Sequence, residues 1–146
     1  MAAKPEYYIT KNGKEAMNPE LVTTFAEAQA KLFYPPNTPD KPARGSVVTS
    51  AQLRRFYGDV KGLERSWQNS PDERKEEAFL RILPLIKLLK AKSAYAYKRQ
   101  LVNKSFMDWI WANVDAINDE KDFKAFLLYF EAVVGFCYGN GLNDKS

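Results

Sequence analysis

A stretch of thirty residues, from Ala78 to Met107, contains no Asp or Glu and carries seven Lys and Arg. At a helical step of roughly 100° per residue, its apolar residues fall on one side. That side holds Ala78, Ile82, Leu85, Ile86, Leu89 and Ala96. The opposite side collects Arg81, Lys87, Lys92, Lys98 and Arg99, with Tyr95 among them and Lys90 at one border. The stretch therefore predicts helix that contributes to both a hydrophobic core and a cationic surface.

The cationic surface has two interpretations. Lys and Arg displace the counterions of a nucleic-acid backbone and an aromatic ring stacks on a base, so the pattern suits RNA or DNA. A lysine-rich face that is only solvated is the alternative. Ordinary exposed helices interleave both signs of charge in i,i+4 pairs. The missing carboxylates therefore favour a binding surface.

The composition is that of one globular domain. The chain has 146 residues, of which 45% are hydrophobic, and its net charge is +4. This length is sufficient to bury a hydrophobic core. No apolar run approaches the ~20 residues that span a bilayer, and the first residues, MAAKPEYY, do not resemble a signal peptide. A single cysteine, Cys137, excludes an internal disulfide. We expect a cytoplasmic protein without membrane contact.

The first 46 residues are predicted to form an accessory part. Residues 1–17 have no hydrophobic period and suggest an extended arm. Asn18 is a predicted N-cap, followed by a helix from Pro19 to about Phe33. Four prolines within residues 35–42 then predict a linker. The predicted division is an arm, short helix and proline-rich linker at 1–46 and a helical domain at 47–146.

Several helices are predicted after the linker. Thr49 and Gln52 form a capping box before an apolar stripe that ends at Trp67. A second line on the same helix, Arg54, Gly58, Lys61 and Arg65, is basic with one small gap, and its spacing fits a solvated flank equally well. The remaining boundary signals are a start at Ser70, a kink or break at Pro84, a start at Ser105, and a cap at Asn118 and Asp119.

The last helix, to about Tyr138, is rich in Phe and Val and is predicted to be the most buried. Glu131 lies within this apolar run, so its carboxylate is expected to need a partner, for which Arg99 is a candidate. No segment alternates with period two, and no hairpin dipeptide joins apolar runs. The predicted fold class is all-α, a bundle-like domain of five to six helices with an extended N-terminal arm.

Catalysis is disfavoured by the residue types. The chain has no histidine, which removes the commonest general base and metal ligand. Cys137 lies in an aromatic helix and is expected to be a buried, inert thiol. Asp119, Glu120 and Asp122 have an explanation as helix-start residues rather than as a metal site, and the scattered glycines form no phosphate loop. We expect a protein with no catalytic residues, metal or cofactor.

Three segments carry a resemblance to a known family. They are TSAQLRRFY at 49–57, LKAKSAYAYKRQ at 89–100 and FKAFLLYFEAVVGFCYG at 123–139. In their order and spacing they resemble the small subunit of type III-A CRISPR effector complexes, the Csm-type small subunit. The resemblance covers residues 47–139. It implies a non-catalytic, all-helical RNA-binding scaffold that takes part in antiviral defence.

The resemblance also implies partners and contact residues. The partners would be the guide crRNA, the target RNA, other stacked copies of the chain, and the large, backbone and capping subunits of the complex. The motif positions fall on Arg54, Arg55, Lys90, Lys92, Tyr95 and Arg99. The charge pattern adds Lys61, Lys87 and Lys98, which completes the predicted RNA-binding set.

Two other functions fit the same sequence. A helical adaptor would bind only protein neighbours and use its basic residues for solubility. A small DNA-binding regulator would read bases with the helix after Thr49. Arg99 also has two possible roles, because pairing with Glu131 would make it a structural residue.

Overall fold

The computed structural model describes residues 3 to 143, which form an all-α fold with one small β-hairpin. The two strands are β1 (Tyr8–Lys11) and β2 (Lys14–Met17). The helices are α1 (Thr24–Phe33), α2 (Ser50–Gln68), α3 (Lys75–Lys87), α4 (Leu89–Lys98), α5 (Lys104–Ala116) and α6 (Glu120–Gly139). Short 3-10 turns, Pro19–Val22 and Asp72–Arg74, precede α1 and α3. The predicted all-α class is confirmed.

The hairpin lies where an irregular arm was expected, so the expectation of no strand pairing was wrong. Strands β1 and β2 are antiparallel, with Tyr8 opposite Met17 and Lys11 opposite Lys14. The turn residues Asn12 and Gly13 have φ angles of 54° and 76°. Asn-Gly is the dipeptide most typical of a two-residue hairpin turn. The strands have only four residues each and are largely exposed, so no alternating hydrophobic pattern marks them.

The core is aromatic and surrounds α6. Phe123, Phe126 and Phe130 of α6 are fully buried. The ring of Trp109 in α5 lies 5.1 Å from that of Phe130 and 5.4 Å from that of Phe33 in α1, in edge-to-face geometry. Such pairs contribute about 0.5–1.5 kcal/mol each beyond the area they bury. The prediction that the last helix is the most buried agrees with this core.

The N-terminal residues pack on the same core. Helix α1 lies against α6, with Ala26, Ala30 and Phe33 buried. The hydroxyl of Tyr7 donates to Oδ1 of Asn113 at 2.8 Å, and both residues are buried. In residues 3–143, therefore, one core includes side chains from both sides of the proline-rich segment.

Asn103 holds the segment that follows α1 against the helical bundle. Its amide nitrogen Nδ2 donates to the carbonyl oxygens of Leu32 at 3.0 Å and Ser46 at 3.1 Å. Its Oδ1 accepts from the backbone N–H of Phe106, which makes Asn103 the N-cap of α5. Ser105 was therefore the wrong cap, because the side chain two residues earlier already satisfies the helix terminus.

The basic stretch is divided into α3 and α4 at Leu88, four residues after Pro84. Pro84 stays inside α3, where its missing N–H weakens the helix. The projection placed Leu85 on the buried side, but Leu85 is 48% exposed, so that assignment was wrong. Leu85 lies at one edge of the projected apolar arc, and Phe79, just beyond the opposite edge, is buried instead. Ile82, Ile86, Leu89 and Ala96 are buried as expected.

The predicted helix starts at Thr49 and Asp119 agree with the structure, and the one at Ser70 does not. The hydroxyl of Thr49 accepts from the N–H of Gln52 at 3.3 Å, and the carboxylate of Asp119 accepts from the N–H of Asp122 at 2.9 Å. Helix α3, in contrast, begins only at Lys75 after a 3-10 turn that has no side-chain cap. The indole N–H of Trp67 instead donates to the carbonyl of Lys75 at 3.1 Å.

Candidate nucleic-acid interface

Helices α2 and α4 form a groove that brings together four of the predicted site residues. Arg55 from α2, Lys92 and Tyr95 from α4, and Arg99, the C-cap of α4, line a cavity of about 250 Å³. The last three lie three to four residues apart, so they share one face of α4. We call this surface the α2–α4 groove, defined by Arg55, Asp59, Lys92, Tyr95 and Arg99.

Asp59 lies in the groove opposite Lys92. Its Oδ2 is 3.4 Å from Nζ of Lys92, and about half of each side chain is exposed. An exposed pair of this kind stabilises a fold by roughly 0–1 kcal/mol and exchanges easily with another anion. The formal charge of the groove residues is then three positive and one negative. The α2–α4 groove is net cationic, and its lysine, Lys92, is paired with Asp59.

Arg99 is held at the surface by Tyr95, one helical turn away. Its Nη1 donates to the Tyr95 hydroxyl at 3.0 Å, and its guanidinium carbon lies 5.6 Å from the ring centre. Glu131 is exposed and accepts a hydrogen bond from the hydroxyl of Tyr57 at 3.3 Å. The expected pair between Arg99 and Glu131 was therefore wrong. The carboxylate faces solvent at the edge of α6 and needs no buried cation.

Lys90 lies on the α5 side of α4, away from the lining of the α2–α4 groove. Its Nζ is 2.9 Å from Oδ1 of Asp115 and 4.6 Å from the ring centre of Trp111. The hydrogen bond from Lys90 holds the pKa of Asp115 below its usual range. The indole N–H of Trp111 donates to the carbonyl of Lys90 at 3.0 Å. Lys90 thus binds α4 to α5.

Lys87 caps the carboxyl end of α5. Its Nζ donates to the carbonyl oxygens of Val114 at 2.8 Å and Ile117 at 3.0 Å. Lysine in this position satisfies carbonyls that a helix leaves unpaired at its last turn. Burial lowers the pKa of Lys87. The side chain is directed inward, not toward the outer surface on which the sequence pattern placed it.

Arg54 and Lys61 lie on α2 outside the groove lining. Arg54 is exposed. Lys61 forms an ion pair with Glu64 at 2.5 Å, and that hydrogen bond raises its pKa. Glu64 therefore neutralises Lys61 within α2 itself, three residues further along the helix.

Lys98 lines a separate cleft at the carboxyl end of α4. The cleft also contains Arg44 and Tyr97, and its volume is about 330 Å³. Nη2 of Arg44 donates to the carbonyl oxygen of Arg99 at 3.2 Å. Sequence reasoning missed Arg44 because it treated the proline-rich segment as a linker. The only sequence signal was a cation next to a glycine in that segment.

Two further structural findings concern metals and membranes. Within residues 3–143, no cluster of three or more His, Cys, Asp or Glu side chains is placed to hold a metal ion. Asp119 instead caps α6, and Asp122 accepts a hydrogen bond from the N–H of Asn118 at 3.0 Å. None of the helices in the described part of the chain is long and apolar enough to cross a membrane.

Fold and groove together define an all-helical protein with a cationic, tyrosine-containing surface between two helices of its bundle. The family model described as Csm2 Type III-A matches residues 38–138. The chain belongs to this family, and it is therefore a subunit of a type III-A CRISPR complex. The resemblance to the Csm-type small subunit is confirmed. No curated protein and no solved structure matches the chain.

Proposed function

We propose that this subunit is an RNA-binding scaffold whose α2–α4 groove contacts the sugar-phosphate backbone of the RNA in the complex. The observation that supports this is the convergence of Arg55, Lys92 and Arg99 around Tyr95. Three cations on one surface can neutralise phosphates of a strand, and a tyrosine that is 63% exposed offers a ring for stacking. Contacts of this kind position an RNA without reading its sequence.

The role proposed for the chain is structural rather than catalytic. In this account several copies stack along the guide crRNA and target RNA, next to the large, backbone and capping subunits, and the complex works in the cytoplasm. Membership of the Csm2 Type III-A family supports this assembly. Lys90 and Lys87 are excluded from the proposed contact surface, because one is paired with Asp115 and the other caps α5.

A protein-only adaptor is the second candidate, and one observation favours it. Three leucines are at least 45% exposed: Leu80 and Leu85 in α3, and Leu88 directly after it. Exposed apolar patches are typical of protein interfaces. The two functions are compatible on different faces, so the question is whether the groove binds RNA at all.

Direct binding to the isolated chain distinguishes the two candidates. The test compares the full chain with a Lys92→Glu/Arg99→Glu variant for binding to two single-stranded RNAs of unrelated sequence. The matched control is Lys11→Glu/Lys14→Glu, which makes the same charge change beside the hairpin turn, where both lysines are exposed. The scaffold account expects the wild type and the control to bind both RNAs equally and the groove variant to lose binding. If wild type binds neither RNA yet joins the other subunits, the adaptor account is correct.

A further inference from the structure

The cleft at the carboxyl end of α4 has the chemistry of a phosphate contact. Two cations, Arg44 and Lys98, and the ring of Tyr97 line it, together with Gly45, Gln100 and Val102. Tyr97 is 39% exposed. Among these described lining residues there is no carboxylate, in contrast to the α2–α4 groove with its Asp59. Uncompensated positive charge beside an exposed ring favours a nucleic-acid strand.

The loop that carries Arg44 is fixed against α4. Gln100 has a φ of 63° and reverses the chain after α4, with the N–H of Leu101 bonded to the carbonyl of Ala96 at 3.0 Å. Gly45 has a φ of 81°, and a Cβ at this position would lie 3.3 Å from Cβ of Gln100. The glycine therefore allows the loop to approach the end of the helix closely. Arg44 is thus placed by backbone geometry as well as by its bond to Arg99.

The cleft and the α2–α4 groove are joined by a third cavity. This cavity has a volume of about 400 Å³ and lies between residues 40–45 and the turn at Gln100 and Leu101. It shares Leu101 with the groove and shares Arg44 and Gln100 with the cleft. Asp40 and Lys41 in its lining offset each other in formal charge. Three adjoining cavities therefore follow one path around the carboxyl end of α4.

We propose that Arg44, Tyr97 and Lys98 form a second RNA contact, which binds the same strand as the α2–α4 groove one step further along its backbone. This inference rests on the proposed function of the groove. The carboxyl end of a helix carries a partial charge of about −0.5, which two full positive charges outweigh. Contact with phosphates and a stacked base is indifferent to sequence. The proline-rich segment then serves as part of the interface and not only as a connection.

The test removes charge from the cleft. Lys98→Gln and Arg44→Gln are made in the full chain, and each replaces a cation with an uncharged polar side chain. The matched control is Lys31→Gln on α1, whose lysine is exposed and paired with Glu27. Each protein is titrated with an oligouridylate of about twelve nucleotides, a length within the range of single-strand binding sites, at several salt concentrations. A trinucleotide serves as the short probe.

The expected result is a change in salt dependence for the long probe only. Each cleft variant should reduce the magnitude of the slope of log K against log salt by about 0.7, the value for one lost phosphate contact on a single strand. A Tyr97→Leu variant should weaken binding of the long probe by roughly tenfold, as expected for one lost stacking contact. Trinucleotide binding and the Lys31→Gln control should match the wild type.

Two outcomes would overturn the inference. One leaves the proposed function of the groove in place, and the other contradicts it as well. If the wild type binds the long probe with steep salt dependence but the cleft variants keep the same slope and affinity, the cleft is not a contact and the proposed function of the groove stands. If the wild type binds neither probe at any salt concentration, the cleft and the proposed function fail together.

Discussion

Arg99 donates a hydrogen bond from Nη1 to the hydroxyl of Tyr95 at 3.0 Å, and the two side chains lie side by side on the exposed face of α4. Both residues are exposed. The contact orders a long side chain at the surface, which lowers the entropy that a bound phosphate would otherwise have to remove. Arg99 does not neutralise Glu131, which is itself exposed, and in the proposed function its ordered guanidinium meets a phosphate.

Reversing the charge of two groove residues should leave the fold intact. In Lys92→Glu/Arg99→Glu, both side chains are exposed, and surface substitutions usually change the free energy of unfolding by about 0.5 kcal/mol or less each. We expect unchanged helicity by circular dichroism and a Tm within about 4 °C of the wild type. An unfolded or strongly destabilised double variant would show that Arg99 is a structural residue and that the site is misassigned.

Neutralising Asp59 should strengthen RNA binding. Asp59→Asn removes the single carboxylate among the described groove lining and releases Lys92 to a phosphate. Removing one exposed like charge near a phosphate is worth up to about 1 kcal/mol, so we expect a two- to fivefold rise in affinity, roughly, by filter binding at low salt. The matched control is Asp115→Asn, which releases Lys90 on the α5 side of α4 and should leave affinity unchanged. Weaker binding by Asp59→Asn would mean that its carboxylate contributes to the contact.

A chain that begins at residue 47 should not fold stably. Helix α1 covers α6, and Phe33 is fully buried against Phe106 and Trp109. Phe33→Ala in the full chain should lower the free energy of unfolding by about 3–5 kcal/mol, measured with urea. Leu32→Ala, at a residue that is 54% exposed, is the control and should cost far less. A cooperative transition of the 47–146 fragment equal to that of the whole chain would instead establish residue 46 as a domain boundary.

Cys137 should be unreactive in the folded protein. Burial raises the pKa of its thiol to about 12, so the folded state keeps the proton at pH values where the unfolded state loses it. Because the folded pKa is the higher one, this group makes the free energy of unfolding fall as pH rises from about 9 toward 12. A thiol reagent at pH 8.5 should label the chain quickly in guanidinium chloride and hardly at all without it. Rapid labelling of the folded protein would contradict the buried assignment.

The sequence predicted the parts of the fold that depend on local hydrophobic period and capping. Residue spacing within single segments predicted the apolar stripe of α2, its cap at Thr49 and the burial of α6. The hairpin was missed because its strands are short and exposed, so only Asn12 and Gly13 signal it. Leu85 was misplaced because it lies at the edge of the apolar arc, where tertiary packing and not local spacing decides which side chain is covered.

The candidate site was predictable only where it depends on the spacing of residues within one helix. Lys92 and Tyr95 lie on α4 and Arg99 is its C-cap, and their spacing of three and four residues is visible in the sequence. Which cations are neutralised is a matter of tertiary structure. Lys90 meets Asp115 twenty-five residues away, and Lys87 meets carbonyls of α5. Arg44 reaches α4 from a loop fifty-five residues earlier in the chain than Arg99.

The central claim is that the α2–α4 groove binds an RNA backbone through its charges. Its most direct test is the dependence of affinity on salt concentration for the wild-type chain and a single-stranded RNA. Three phosphate contacts in the groove predict that log K falls linearly with log salt with a slope of about −2, or about −3.5 with the two cleft cations engaged, and that the slope is equal for two unrelated sequences. An affinity that does not change with salt, or that differs strongly between the two sequences, would contradict the account.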